Sequence, residues 1–294
     1  MRRKLTILLV SLLLLLGTTY VVLAMLAKPV ADHPFFRPDE VLVIAHQGGE
    51  GLYPSNTMLA FSKAVEMGVD VLELDIHATA DDVIVVMHDD TVDRTTDGIG
   101  KISELSLSEL RELDAGYYWT DDEGLSYPYR GQGITVPTLT ELFTSFPKMR
   151  MNIEVKQESP SIVEPFCVLL SEHNMNAQVL VASFHQSTID AFRVQCPGVA
   201  SSMVESEIRL LYVLNLFSLG AIFQAPAQAI QIPEYSGDLH VATEGFVRSA
   251  HGHNVQIHLW TINDVESMQR LLDIGVDGII TDRPDRLLTL LHRR

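Results

Sequence analysis

The chain has 294 residues, 47% of them hydrophobic, which suffices for one large core and excludes both a disordered polymer and a small disulfide-stapled domain. A formal net charge of −17 and a sequence pI near 4.9 argue against a nucleic-acid partner, whose phosphates call for a basic face. The two cysteines, Cys167 and Cys196, sit in what read as a helix interior and a helix end before Pro197, contexts that favour two small buried hydrophobes over a bridge.

After Arg2, Arg3 and Lys4 comes an uncharged run of 23 residues, 5–27, mostly Leu, Val and Ile. It is long enough to cross a hydrocarbon core of about 30 Å. A cleaved signal would have a shorter apolar core and small residues at its cut site, whereas this run ends Ala24-Met25-Leu26-Ala27. The reading is therefore one transmembrane helix over 1–27, with the basic tip cytoplasmic and the bulk of the chain on the extracytoplasmic side. A polar linker, 28–40, with Pro29, Pro34 and Pro38, leads to a soluble domain over 41–294.

From residue 41 onward, short β-branched runs alternate with longer amphipathic segments, the pattern of βαβ units around a parallel sheet. Strands are predicted at 41–45, 69–75, 151–155, 178–183, 199–203, 219–224, 255–260 and 276–281. Helices follow near 57–67, 161–173, 186–195, 205–216, 238–252, 264–273 and 284–292. Eight units over this length are the rhythm of an α/β (β/α)8 TIM barrel, and no G-x-G-x-x-G follows the first strand to support a dinucleotide fold instead. The segment 89–141 breaks the rhythm. It reads as an insertion after strand 2, beside the mouth, with a helix near 104–113 and an aromatic patch of Tyr117, Tyr118, Trp119, Tyr127 and Tyr129.

In such barrels chemistry gathers at the C-terminal strand ends. Strand 1 ends in His46-Gln47-Gly48, strand 2 carries Glu73 and Asp75, and His88-Asp89 follow soon after. Strand 3 ends in Glu154-Val155-Lys156, strand 6 in Gln224, strand 7 in Trp260 and Asn263, and strand 8 in Thr281-Asp282. Glu73 and Asp75, two apart on a strand, share a face, and two such acids repel unless a cation lies between them. With Glu154 they offer hard oxygen ligands suited to one divalent cation, Mg²⁺ or Ca²⁺. His46 and His88 remain for acid–base work at a phosphodiester, Lys156 for a charge on the phosphate, and Trp260 either packs the barrel or lines the substrate pocket.

The motifs H-Q-G-G-(x)4-P-S-N-T, E-x-D-x-H-x-T, V-x-x-H-D, R-T-T-x-G-x-G, P-T-L-x-E, I-E-V-K, W-T-I-N and G-V-D-G-I-I-T-D-R-P resemble the glycerophosphodiester phosphodiesterase family over nearly all of the chain from residue 41. That resemblance implies the same barrel, catalytic histidines at His46 and His88, and acidic ligands to Mg²⁺ or Ca²⁺ at Glu73, Asp75 and Glu154. It also matches the family's I-E-x-K lysine with Lys156. Three positions depart from the family pattern, namely Gln47 for Arg, Ser55 for Glu and Asp82 for Gly. Asp tolerates a left-handed turn, but Gln47 removes a cation beside the phosphate, a loss of about 1–2 kcal/mol of charge assistance. Gln at this place is similar to membrane-associated members that act on lysophospholipids.

Other features read more plainly. His173, His240, His251, His253 and His292 are expected on the surface, Asn56 as a cap of the first barrel helix, and His77 as a residue whose alternation with Asp75 also admits the mouth. The stretch 203–223 is apolar enough to pack on the barrel and leave a surplus for an acyl chain. The expected activity is metal-dependent hydrolysis of a small glycerophosphodiester or a lysophospholipid. Two alternatives stay open: a cyclising variant in which a substrate hydroxyl attacks phosphorus, and a non-catalytic anchored barrel that binds a phosphodiester.

Overall fold

The short apolar runs fold into a parallel barrel whose helices cover its outside. In the computed structural model, which describes residues 2–37 and 40–293, eight parallel strands form it: β1 (Leu42–Ala45), β2 (Val71–Ala78), β4 (Arg150–Val155), β5 (Val179–Ala182), β6 (Ala200–Ser201), β7 (Ala229–Ile232), β10 (Gln256–Leu259) and β11 (Gly278–Thr281). Their order is β6-β5-β4-β2-β1-β11-β10-β7, and a parallel bridge between Ser202 and Ala229 joins the two ends. The strand β3 (Ile84–Val86) adds antiparallel to β2, and β8 (Tyr235–Ser236) with β9 (Leu239–His240) makes a separate hairpin. Pro38 of the predicted linker lies outside the described residues.

The helices are α1 (Arg2–Leu26), α2 (Met58–Met67), α3 (Leu107–Leu110), α4 (Leu139–Ser145), α5 (Val163–Glu172), α6 (Gln186–Gln195), α7 (Glu205–Leu216), α8 (Glu244–Gly252), α9 (Val265–Asp273) and α10 (Pro284–Leu290). Caps fix their starts: Thr57, Thr138, Thr243 and Asp264 each accept from a backbone N–H one turn on. Outside the barrel, alternate strand residues meet the helices in one continuous core that includes Val43, Leu72, Ile153, Val181, Ile257 and Ile279. Inside it, Leu42, Ile44, Val71, Leu180, Ala200, Ala229 and Ile280 form an apolar layer.

That inner layer is closed from below by a residue of the predicted linker. Phe35 is fully buried against it, and Arg150 Nη1 donates to the Phe35 carbonyl at 3.0 Å. Val30 N–H donates to the His253 carbonyl at 2.9 Å, and Asn254 Nδ2 donates to the Val30 carbonyl at 2.8 Å. The predicted polar linker is thus docked on the N-terminal end of the barrel, its apolar Phe35 hidden in sequence among prolines and charges.

Several expectations need correction. The sixth barrel strand is 229–232, not 219–224: Ser218 takes a left-handed conformation (φ 58) that ends α7, Gly220–Ile222 is a 3-10 turn, and Pro226, lacking an N–H, precedes the run that enters the ladder. The mouth-facing residue of that strand is consequently Gln231 rather than Gln224. The helix expected over 238–252 begins only at Glu244, because the β8–β9 hairpin takes the preceding residues. Within the insertion the helix shrinks to α3, since Val85, Met87, Val92, Ile102, Leu110, Ala115 and Val136 close a small core of their own. Cys167 of α5 and Cys196 at the end of α6 are not separate hydrophobes but a disulfide, with Cα atoms 5.9 Å apart. His253 is buried, donating from Nε2 to the Gly220 carbonyl at 3.0 Å, rather than lying on the surface.

Because Phe35 seals the bottom of the inner layer, Phe35→Ala should leave a cavity that neighbouring strands cannot fill. Its expected cost is about 3–5 kcal/mol of unfolding free energy, read by chemical denaturation. A change below about 1 kcal/mol would mean that the segment is not docked in solution.

Candidate active site

The ladder brings the acids together. Glu73 and Asp75 share the inner face of β2, and register sets Asp75 beside Glu154 of β4. One ligand oxygen from each of Glu73, Asp75 and Glu154 lies within 4.8 Å of the others. Glu73 and Asp75 are buried and Glu154 is half-buried. Burial first, and then the Asp75 charge, hold the Glu73 carboxyl well above the usual carboxylate range. Burial likewise raises Glu154, against the pull of Lys156.

Neighbours share out the outward oxygens and leave the inward ones. Gln47 N–H donates to Glu73 Oε2 at 2.8 Å, and Asn56 Nδ2 donates to Asp75 Oδ2 at 3.0 Å. The remaining Asp75 Oδ1 and Glu154 Oε1 are buried without a hydrogen bond among the described residues, although Lys156 Nζ stands 3.2 and 2.9 Å away as an ion-pair partner. Three converging carboxylates, two of them with an orphaned oxygen, fit a divalent cation held by oxygen ligands. Neither Asp75 nor Gln47 lines the cavity in front of the centre.

The loop that carries His46 and Gln47 depends on unusual backbone. Gln47 has φ 49, Gly48 has φ +83, and a Cβ on Gly48 would come 2.8 Å from the Ala60 Cβ, so the loop fits only a glycine there. Asn56 is also left-handed, φ 56, which turns its amide toward Asp75, while the capping expected of it falls to Thr57 Oγ1, 3.2 Å from Ala60 N–H. Asp82 is left-handed as well, φ 60, in place of the glycine.

The two histidines are held in different states. His46 Nδ1 donates to Asp282 Oδ1 at 2.6 Å, and Asn263 Nδ2 donates to Asp282 Oδ2 at 2.6 Å. Burial would lower the His46 pKa, but the Glu73 charge and the Asp282 bond outweigh it and raise it to about 9. With Glu50, 4.0 Å from Nδ1, these acids form a pair for an imidazolium. His88 has its Nδ1 2.8 Å from Asp89 Oδ1, and Asp89 is in turn held by Arg94 Nε at 2.6 Å. Lys156 Nζ stands 3.1 Å from His88 Nε2, and an ammonium only donates, so that ring nitrogen accepts. His77 is buried, its pKa lowered by that burial, and donates to the His88 carbonyl at 3.2 Å rather than joining the acids.

A cavity of about 740 Å³ opens from His46, Glu73, His88, Glu154 and Lys156. Trp260 lines it, edge-on to Phe184 with ring centroids 6.1 Å apart. Its far wall is mainly apolar: Ile208, Tyr212 and Val213 of α7 line it with Leu239, Val241 and Phe246, and Glu205 and Arg209 of α7 add charge at its edge. Below the mouth, Asn152, Gln231 and His258 form a polar layer, with Gln231 Nε2 donating to Asn152 Oδ1 at 3.1 Å. Burial lowers the His258 pKa to about 4, so it is neutral. Trp119 Nε1 donates to the Glu50 carbonyl at 2.8 Å and ties the insertion to the mouth, while the Arg130 guanidinium stacks between Tyr117 and Tyr127 at 4.1 and 4.0 Å.

Sequence reasoning placed Asp282, Asn263 and Asp89 at strand ends without a task, and read Asn56 as a cap. Their positions as orienting partners follow from strand order. The spacing of a histidine from an acid 236 residues later carries no local signal.

A closed parallel barrel with acids, two oriented histidines and a lysine at its C-terminal mouth defines a phosphoryl-ester-cleaving enzyme class. The model of the glycerophosphoryl diester phosphodiesterase family matches residues 46–286, and the chain belongs to that family. It is 32% identical over 259 residues to the glycerophosphodiester phosphodiesterase of Caldanaerobacter subterraneus subsp. tengcongensis, covering 86% of this chain and 99% of that protein. It is also 26% identical over 276 residues to human lysophospholipase D GDPD1, covering 85% of each. Among solved structures, an Oleispira antarctica phosphodiesterase in complex with the product sn-glycerol-3-phosphate superposes with a TM-score of 0.67 at 25% identity, covering 85% of this chain and 96% of that one. The chain is accordingly a phosphodiesterase acting on glycerophosphodiesters.

Removing the charge that faces His46 should show in its titration. Asp282→Asn is expected to lower the His46 pKa of the metal-free protein by about 1–2, read by NMR of labelled imidazoles. The raised pKa also stabilises the fold: this contribution is complete below the ordinary 6.5 and disappears as pH rises through about 9. The variant should therefore lose stability mainly below pH 9 and match the parent above it, and an unchanged His46 titration would contradict the pairing.

Proposed function

We propose that the chain is a membrane-anchored, metal-dependent phosphodiesterase whose preferred substrates are lysophospholipids. The observation that carries the reading is the cavity joining the acids and histidines to a long apolar wall, more space than a deacylated diester fills.

Glu73, Asp75 and Glu154 would hold one divalent cation, Mg²⁺ or Ca²⁺, supported by the convergence of their carboxylates and by the orphaned oxygens of Asp75 and Glu154. When bound, that cation neutralises phosphate charge and orients the ester. His88, oriented by Asp89 through Nδ1 and with an accepting lone pair on Nε2 that faces Lys156, takes the proton of the attacking water. The water oxygen bonds to phosphorus, the ester P–O bond breaks, and the departing alkoxide takes the Nε2 proton of the His46 imidazolium, which Asp282 stabilises through Nδ1. The products are an alcohol and glycerol 3-phosphate, or lysophosphatidic acid from a lysophospholipid. Lys156 supplies positive charge beside the phosphate, Trp260 bounds the substrate, and Gln47 sets its amide 3.4 Å from His46 Nε2 in place of the family's cation.

The helix α1 serves as a single-pass anchor, with the basic tip cytoplasmic and the barrel extracytoplasmic. Support comes from its exposed apolar surface, uncharged from residue 5 onward, and from the disulfide, which persists in oxidising compartments.

The test uses two soluble substrates with one headgroup, hexanoyl-lysophosphatidylcholine and glycerophosphocholine, with the full chain in lipid nanodiscs. Each methylene buried in the cavity is worth about 0.8 kcal/mol, so the acylated substrate should have a kcat/KM higher by about tenfold or more. Gln47→Arg, which places a cation next to His46 at the cavity, should narrow the difference. Equal or better efficiency on glycerophosphocholine would sink the lipid reading while leaving the phosphodiesterase intact.

A further inference from the structure

The helix α1 does not stand clear of the barrel. Towards its end Tyr20, Ala24 and then Ala27 are half-buried, spaced for one helix face, whereas nearly all of the run before them is exposed. This end packs against the 3-10 turn Gly220–Ile222, and two further bonds hold the junction: His253 Nε2 donates to the Gly220 carbonyl at 3.0 Å and the His253 carbonyl accepts from Val30 N–H at 2.9 Å. The proposed span therefore has a fixed height relative to that turn. At 1.5 Å per residue, Tyr20 lies about 10 Å below residue 27 along the helix, the depth of the boundary between headgroups and acyl chains. A segment touching this part of α1 shares that depth.

The chain that leads into the turn is dressed for it. Leu210, Val213 and Leu216 recur at helical spacing on α7 and are 54%, 47% and 65% exposed, and Phe217 and Leu219 just beyond are 71% and 36% exposed. This is a contiguous apolar ridge on a chain of net charge −17, so its partner is recognised by hydrocarbon and not by charge. The charged pair of α7, Glu205 with Arg209, lies in its N-terminal half and ends one turn before Val213.

We infer that the C-terminal half of α7 with Phe217 and Leu219 is embedded in the surface of the bilayer, a second membrane contact beside α1. This rests on the reading of α1 as a span. The inference also gives a lipid substrate its route. Val213 belongs both to the exposed ridge and to the cavity wall that Ile208 and Tyr212 continue toward the acids, so α7 carries bilayer on one face and substrate cavity on the other.

The experiment places a fluorophore on the ridge. The full chain carrying Phe217→Trp, and separately Leu216→Trp, is reconstituted in vesicles of phosphatidylcholine brominated near the headgroup end of its acyl chains. The parent protein supplies the background of Trp119 and Trp260, and Leu125→Trp, at a position 88% exposed in the insertion, is the comparison. The ridge variants should lose at least about half of their added fluorescence, and the Leu125 variant should lose little. Ridge variants quenched no more than the Leu125 variant, in protein that co-floats with the vesicles, overturn this inference and leave the span standing. Protein that fails to co-float overturns the span and this inference together. No substrate is present, so neither outcome depends on the catalytic reading.

Discussion

Three carboxylates share one buried corner of the barrel mouth, and much of the surrounding structure answers their mutual repulsion. Each acid taken out of water beside two others loses hydration that only positive charge or hydrogen-bond donors replace. The fold supplies these from four directions: the Gln47 N–H, the Asn56 amide, the Lys156 ammonium and the His46 imidazolium. Two of these donors come from residues in left-handed backbone, Gln47 and Asn56, so the loop after β1 accepts local cost to serve the acids of β2. The same field divides the histidines. His46 faces Glu73 and Asp282 and keeps its proton, whereas His88 faces a lysine and keeps a lone pair.

The two ends of the barrel have separate tasks. At the N-terminal end, Phe35, Arg150 and Asp70 close the interior, and Arg293 ties the last turn of the chain to the same Asp70 at 2.6 Å. The segment after α1 is part of that closure, which makes α1 and the barrel one unit instead of two bodies on a tether. At the C-terminal end, the inner layers turn from apolar to polar through Asn152, Gln231 and His258 before reaching the acids. The helix α7 connects the two ends along the flank, with cavity on its inner face and an apolar ridge on its outer one.

Much of this was legible in the sequence, because period and spacing are local. The alternation of runs gave the barrel, and the two-residue spacing of Glu73 and Asp75 gave a shared face. What was not legible depends on which strands become neighbours. Asp282 reaches His46, 236 residues away, because β11 closes against β1. The sixth strand was misplaced because two apolar runs flank Pro226 with similar composition, and only the end of α7 decides between them. Asn56 reads as a cap because its neighbour Thr57 is one. Cys167 and Cys196 lie 29 residues apart on successive helices, and no local pattern reports that their Cα atoms approach to 5.9 Å.

The central claim is that the acidic corner is a cation site and not merely a charge cluster neutralised by Lys156. Calorimetric titration of chelator-treated protein with Mg²⁺ and with Ca²⁺ tests it most directly, with Glu73→Gln alongside. The account predicts one saturable cation per chain for at least one of the two metals, weakened by about tenfold or more in the variant, with the fold unchanged by circular dichroism. No binding by the parent protein, or binding that Glu73→Gln leaves as it was, would contradict it.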